Sequence, residues 1–159
     1  MPENSKRVFA TQSIRITKTA NTPARYAFEW LTDYRADDGK LSKSRPRFQV
    51  HRVAEGRVVR IRIPRSPTRN PPIAVELVRL GPGTTWHVDQ IDEGDLAAVD
   101  YRVTPLGRKR CRIDLLIVER WMTRTHPSAV EYRTSTGAFW DRIVRALERR
   151  YRSGAPAVG

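Results

Sequence analysis

Residues 86–121 read WHVDQIDEGDLAAVDYRVTPLGRKRCRIDLLIVERW, three runs in which apolar and polar side chains alternate. Trp86 and Val88, then Val99, Tyr101 and Val103, then Ile113, Leu115 and Ile117 recur at every second position. That is the period of a strand with one buried face. Glu93-Gly94-Asp95 and Pro105-Leu106-Gly107 separate the runs. Glycine supplies positive φ, and proline presets φ and withholds a donor, so the chain reverses at each junction. In the third run Leu116 and Val118 are apolar as well, which predicts partial cover on both faces of that strand.

Three more runs precede these: Phe48 and Val50 with Arg52 in the same row, then Val59, Ile61 and Ile63, then Val75 and Leu77. Glu55-Gly56, the Pro64-to-Pro72 loop and Gly81-Pro82-Gly83 supply their turns. This parity puts Arg60 and Arg62 on a solvated outer face. Phe9 to Thr19 reads as a first strand, with Ile14, Ile16 and Lys18 on one face and Arg15 and Thr17 on the other. Thr22 then caps a short helix with Pro23 at its first position, where a missing N–H costs nothing. Ala24, Ala27, Phe28 and Leu31 form its buried stripe, and Asp33 to Ser44 is a polar loop around Gly39 with one further helical turn.

After Trp121 the chain breaks at His126-Pro127, and Ser128 with Glu131 makes a capping box. A long helix is predicted from about Ala129 to Tyr151. Tyr132, Phe139, Trp140, Ile143, Val144, Leu147 and Tyr151 form its broad apolar face, while Arg142, Arg145, Arg149 and Arg150 solvate the remainder and suit the negative end of the helix dipole.

The order of strand, short helix ending in Trp30-Leu31-Thr32-Asp33, six-stranded meander and long C-terminal helix resembles the START/Bet v1-like (SRPBCC) superfamily. The stretch from Ile14 to Phe28, an alternating strand followed by a small residue, Pro and Ala at a helix start, is similar to that family's opening. The resemblance covers about residues 9 to 152. It implies an α+β helix-grip fold, a curved seven-stranded antiparallel sheet wrapped around the C-terminal helix, with a cavity between them. Fold does not imply activity: the superfamily spans lipid carriers, hormone receptors, polyketide cyclases, co-chaperones and oxygenase domains.

The 159 residues suit one domain, large enough to bury roughly two-thirds of its unfolded surface. The ordered core is expected over about 9–152, with short flexible tails. No apolar run approaches the roughly 18 residues of a membrane span. The first seven residues lack an apolar segment behind their charges, so no secretory signal is expected and a cytoplasmic location is the default. Cys111, the single cysteine, excludes an internal disulfide and reads as a small buried hydrophobe.

The formal net charge is +13, carried by 25 arginines and 5 lysines against 17 acids. Leu41 to Pro72 holds nine basic residues and one acid, Glu55. This basic region is a candidate polyanion contact. The competing reading is compositional arginine on solvated strand faces, since no aromatic ladder, glycine-rich loop or nucleic-acid motif accompanies the charge.

Inward parity predicts a ligand-binding wall of Trp86, Val88, Tyr101, Ile117, Glu119 and Trp121, faced by Phe139 of the long helix. Glu119 and Tyr101 are the acid/base candidates. Against that stands a plain salt bridge from Glu119 to an arginine, and ordinary core packing for the aromatic residues. The three histidines, His51, His87 and His126, have no metal-ligand spacing, and there is no GxSxG elbow or phosphate loop. No metal or cofactor is expected. Three functions follow: binding or transport of a hydrophobic small molecule, a cyclase- or dehydratase-like enzyme using the same cavity, and a macromolecular interaction module using the basic region.

Overall fold

The computed structural model describes residues 10–42, 45–63, 74–92, 95–122 and 124–159. Its elements are β1 (Ala10–Ala20), α1 (Ala24–Thr32), a 3-10 turn (Asp38–Leu41), β2 (Arg47–Ala54), β3 (Arg57–Ile63), β4 (Ala74–Leu80), β5 (Thr85–Asp92), β6 (Asp95–Gly107), β7 (Arg110–Trp121) and α2 (Ala129–Arg152). The Pro64–Pro72 loop, the Glu93-Gly94 turn and the expected frayed N-terminus lie outside the described residues.

The strands form one sheet in the order β1-β7-β6-β5-β4-β3-β2, every neighbouring pair antiparallel. Consecutive hairpins build it from β2 to β7, and β1 returns to pair along β7 from Ala10↔Trp121 to Ala20↔Cys111. Straight rows of inward side chains result, such as Leu115, Tyr101 and Trp86, or Ile117, Val99 and Val88.

α2 crosses the concave face. Its capping box forms as the sequence predicts: Ser128 N donates to Glu131 Oε2 at 2.8 Å and Glu131 N to Ser128 Oγ at 3.2 Å. Leu147 is fully buried, with Trp140, Ile143 and Val144 nearly so. Burying each such side chain is worth about 1.5–3 kcal/mol, more than a helix of this length gains from propensity. Polar contacts fix its direction: Lys18 pairs with Asp141 at 2.6 Å, and Asn21 N donates to Glu148 at 2.8 Å.

The structure corrects four expectations. First, β3 and β4 have the opposite parity. Val58, Arg60 and Arg62 face the interior with Ala74, Glu76 and Val78, whereas Val59, Ile61, Val75 and Leu77 face outward. Second, Thr22 does not cap α1. Pro23 occupies the N-cap and its carbonyl accepts from Ala27, so the helix starts one residue too late for the Thr22 hydroxyl, which is buried without a partner.

Third, the C-terminal segment is not a free tail. Gly154 turns the chain at φ +74, and Ala155 O then accepts from Tyr26 Oη at 2.7 Å while Ala157 is buried. Fourth, the basic stretch from Leu41 is partly neutralised. Arg52 pairs with Asp33, Arg60 with Glu76 and Asp38, and Arg62 with Asp92.

Candidate functional site

Sheet and α2 do not meet everywhere, and a chamber of about 330 Å³ remains between them. β5 contributes Trp86, Val88 and Gln90, β6 Val99 and Tyr101, and β7 Leu115 and Ile117. α2 roofs it with Tyr132, Phe139, Trp140 and Ile143, and one side is closed by Trp30 and Leu31 at the end of α1 and by Tyr34 just after it. The volume sits at the lower end of the ~300–1,000 Å³ typical of small-molecule sites.

The aromatic lining is ordered by stacking. Trp86 and Tyr101 lie parallel, ring centroids 4.5 Å apart with 1° between planes. Phe28 meets Trp86 edge-on at 5.7 Å, and Trp140 meets Tyr101 at 5.8 Å. Burial holds the phenols of Tyr101 and Tyr34 above their usual values, so both keep their protons and are able to donate a hydrogen bond. Trp86 is 3% exposed, and its indole N–H, turned toward the Tyr34 hydroxyl, satisfies no hydrogen bond of normal geometry. A buried donor left unpaired costs about 1–3 kcal/mol, so this one favours an acceptor arriving from the chamber.

One wall is ionic. Arg60 Nε and Glu76 Oε2 are 2.5 Å apart, each side chain only 14% exposed, and Arg60 Nη1 reaches Asp38 at 3.3 Å. The guanidinium lies over Phe48 at 4.1 Å and Tyr34 at 4.9 Å. Burial pulls the Arg60 pKa down, but the Glu76 charge and hydrogen bond outweigh it, and the guanidinium stays charged. Burial raises the Asp38 carboxyl, against the Arg35 backbone N–H and the Arg60 charge. Gln90 adds an N–H to Glu76 Oε1 at 3.3 Å. The 3-10 turn carrying Asp38 needs glycine next to it, since a Cβ on Gly39 would fall 1.7 Å from Pro46 O.

Beside the chamber lies a smaller pocket of about 100 Å³, sharing Phe48, Arg62, Glu76, Gln90 and Tyr132 with it. Glu119 opens here rather than into the chamber. It is 6% exposed, faces inward as alternation requires, and accepts from Tyr132 Oη at 2.8 Å. Burial raises its pKa, partly countered by that hydrogen bond. The expected arginine partner is replaced by the Tyr132 hydroxyl.

Of the residues expected at the site, Trp86, Val88, Tyr101, Ile117 and Phe139 line the chamber, Glu119 lines the smaller pocket, and Trp121 lines neither. Trp121 packs between Tyr132 at 5.7 Å and His126 at 5.8 Å. Tyr101 pairs with Leu115, four residues before Glu119, so the two acid/base candidates stand about 13 Å apart along the strand. Tyr34, Asp38, Arg60, Glu76 and Gln90 escaped the sequence reading. The signal was present as opposite charges, Arg60 and Glu76, within two alternating runs. Among the described residues no group of three or more His, Cys, Asp or Glu side chains could hold a metal ion. No helix among them is long and apolar enough to cross a membrane.

No protein-family model matches the sequence, nor does any characterised protein sequence. Solved structures do match. The chain is similar to the ZhuI aromatase/cyclase from Streptomyces sp. R1128, at TM-score 0.69 and 15% identity over 92% of this chain and 99% of that one. It is similar to a norcoclaurine synthase point mutant from Thalictrum flavum in complex with a transition state analogue, at TM-score 0.61 and 14% identity over 89% and 97%. Ara h 8.0201 aligns at TM-score 0.58 and 8% identity over 87% and 98%. At these identities the likeness is one of architecture: the chain shares the helix-grip fold of these structures, the fold that its START/Bet v1-like resemblance implies.

Proposed function

We propose that this protein binds a compact, planar, largely apolar small molecule in the chamber between the sheet and α2, acting as a cytoplasmic carrier or receptor. The observation that carries this reading is the unpaired Trp86 indole N–H in a wall of stacked rings. A flat ligand would lie along Trp86, Tyr101 and Phe139 and accept from Trp86 and Tyr34 through a carbonyl or phenolic oxygen. The Arg60–Glu76–Asp38 group makes the adjacent wall polar without offering a free charge, which favours an uncharged ligand.

The fold neighbours described as an aromatase/cyclase and a norcoclaurine synthase make an enzyme the second reading. The buried Glu119, with its raised pKa, is the observation in its favour. Against a Glu119–Tyr101 acid/base pair are their separation along the sheet and the tightly held phenol proton. A contact of the Leu41–Pro72 region with polyanions is less favoured, since Arg52, Arg60 and Arg62 already have acidic partners.

The test is native mass spectrometry of freshly purified protein, followed by titration with flat aromatic ketones and phenols, fatty acids and sterols. The carrier reading expects thermal stabilisation by the flat oxygenated compounds at unchanged ligand mass. Turnover of a bound compound would move the assignment to the enzyme, and a panel without any stabilisation would remove the cavity reading.

A further inference from the structure

The β6–β7 hairpin extends past both of its neighbours. β5 makes its last pair with β6 at Thr85↔Arg102, and β1 makes its last pair with β7 at Ala20↔Cys111. Residues 106–110 therefore have sheet partners only in each other, and all five are exposed. They read Leu106-Gly107-Arg108-Lys109-Arg110, an aliphatic side chain followed across a turn by three consecutive cations. Gly107 adopts φ +143, a conformation open to glycine, and a register shift sits between Pro105 and Gly107.

Neither half of this finger is explained by folding. Leu106 is 47% exposed, and Arg108, Lys109 and Arg110 have no acidic partner among the described residues. The alternate hairpins of the meander end on the same side of the molecule, and they repeat the pattern. Leu80, 40% exposed, flanks the β4–β5 turn. Arg57 and Arg79 sit directly opposite one another at the bases of the β2–β3 and β4–β5 turns, and Asp89, 3.9 Å from Arg79, offsets part of that like-charge pairing.

We propose that this hairpin end docks on the surface of an anionic lipid bilayer, with Leu106 entering the headgroup region and Arg108, Lys109 and Arg110 meeting lipid phosphates. Basic residues beside an exposed aliphatic one have that chemistry: the charges gather anionic headgroups, and the apolar side chain adds a contact that salt does not screen. A nucleic acid fits less well. Unstacked bases reward aromatic platforms, and every large exposed hydrophobic residue described here is aliphatic. Phosphates alone would gain nothing from Leu106.

The experiment is co-sedimentation of the full chain with vesicles of phosphatidylcholine alone and of phosphatidylcholine mixed with phosphatidylglycerol, at low and moderate salt. Binding is expected to the mixed vesicles only. The triple variant Arg108→Ser/Lys109→Ser/Arg110→Ser should lower partitioning roughly a hundredfold. Leu106→Ser should lower it about tenfold, with a loss that persists at the higher salt. These positions are exposed, so both variants should melt with the parent; if either does not, Leu106→Ala and Lys109→Ala replace them.

Equal binding by parent and triple variant overturns the proposal, as does equal binding by parent and Leu106→Ser. Duplex DNA retained by Leu106→Ser but lost by the triple variant, without vesicle binding, would instead give the finger to nucleic acid. The cavity reading is reported separately by ligand titration and survives either result.

Discussion

The Tyr132 hydroxyl donates to Glu119 Oε2 at 2.8 Å, tying the first turns of α2 to the last strand beside a pocket of about 100 Å³ in which Glu119 is only 6% exposed. The bond favours the carboxylate, yet burial outweighs it and the Glu119 pKa is raised from 4.5. A group whose folded pKa lies above its unfolded one contributes stability fully below the unfolded value. That stability is lost as pH rises through the folded value. Glu119→Gln, neutral at every pH and still able to accept from Tyr132, escapes this loss. Thermal melts across pH should show the variant gaining on the parent from below pH 4.5 toward neutrality. The gain should be about 1.4 kcal/mol for each unit by which the folded pKa is raised. A difference that stays flat with pH would mean Glu119 is solvated.

The Arg60–Glu76–Asp38 group gives the second prediction. Removing the cation leaves two carboxylates in the chamber wall without it, and such a break typically costs about 3–5 kcal/mol. Arg60→Met should lower the urea midpoint accordingly with an unchanged slope. Arg60→Met/Glu76→Leu should recover much of the loss, because replacing both partners leaves fewer buried charges than replacing one. A single variant as stable as the parent would place Arg60 outside, where the hydrophobic alternation of β3 first suggested.

That alternation explains what was legible and what was not. β5, β6 and β7 carry apolar inward rows, and short turns bound them, so Trp86, Val88, Tyr101 and Ile117 fell on the correct side. The same held for α2, whose capping box and apolar stripe agree. β3 and β4 misled because their inward positions face a chamber rather than solid core, and polar side chains there satisfy one another. Arg60 lies opposite Glu76, which removes the penalty that normally keeps charge outside. Val59, Ile61, Val75 and Leu77 meanwhile make the outer face apolar, so periodicity alone points the wrong way. Hairpin register follows from turn length, and the long Pro64–Pro72 connection does not specify it. Glu119 was readable as buried, but its partner on α2 was not, because no sequence pattern links a strand to a helix roofing it.

Leu147 tests where α2 lies. It is fully buried, so Leu147→Ala should cost about 2–5 kcal/mol, the transfer term plus the cavity left behind. Leu147→Asp should prevent folding, since it would place a carboxylate at a fully buried position in the apolar core. Arg145→Ala, one turn face away and exposed, should melt within a degree or two of the parent. Circular dichroism melts of the three variants decide it. A Leu147→Ala protein as stable as Arg145→Ala would detach α2 from the sheet.

Trp86 is the sharpest probe of the chamber, because its ring contacts Tyr101 and Phe28 while its N–H is unpaired. A ligand oxygen accepting from that N–H should shift Trp emission, and a flat ligand against the ring should quench it. Trp86→Phe keeps a flat apolar surface and deletes the donor. It should therefore abolish most of the fluorescence response while weakening affinity about tenfold for ligands bearing a carbonyl or phenol, in line with one neutral hydrogen bond. Ligands of the same shape without the oxygen should lose little affinity, and that comparison separates the hydrogen bond from stacking. Trp30 and Trp140 line the same chamber and supply internal controls: Trp140→Phe should leave most of the response in place. An unchanged response in Trp86→Phe, or equal loss for both ligand types, would remove Trp86 as the donor that selects the ligand.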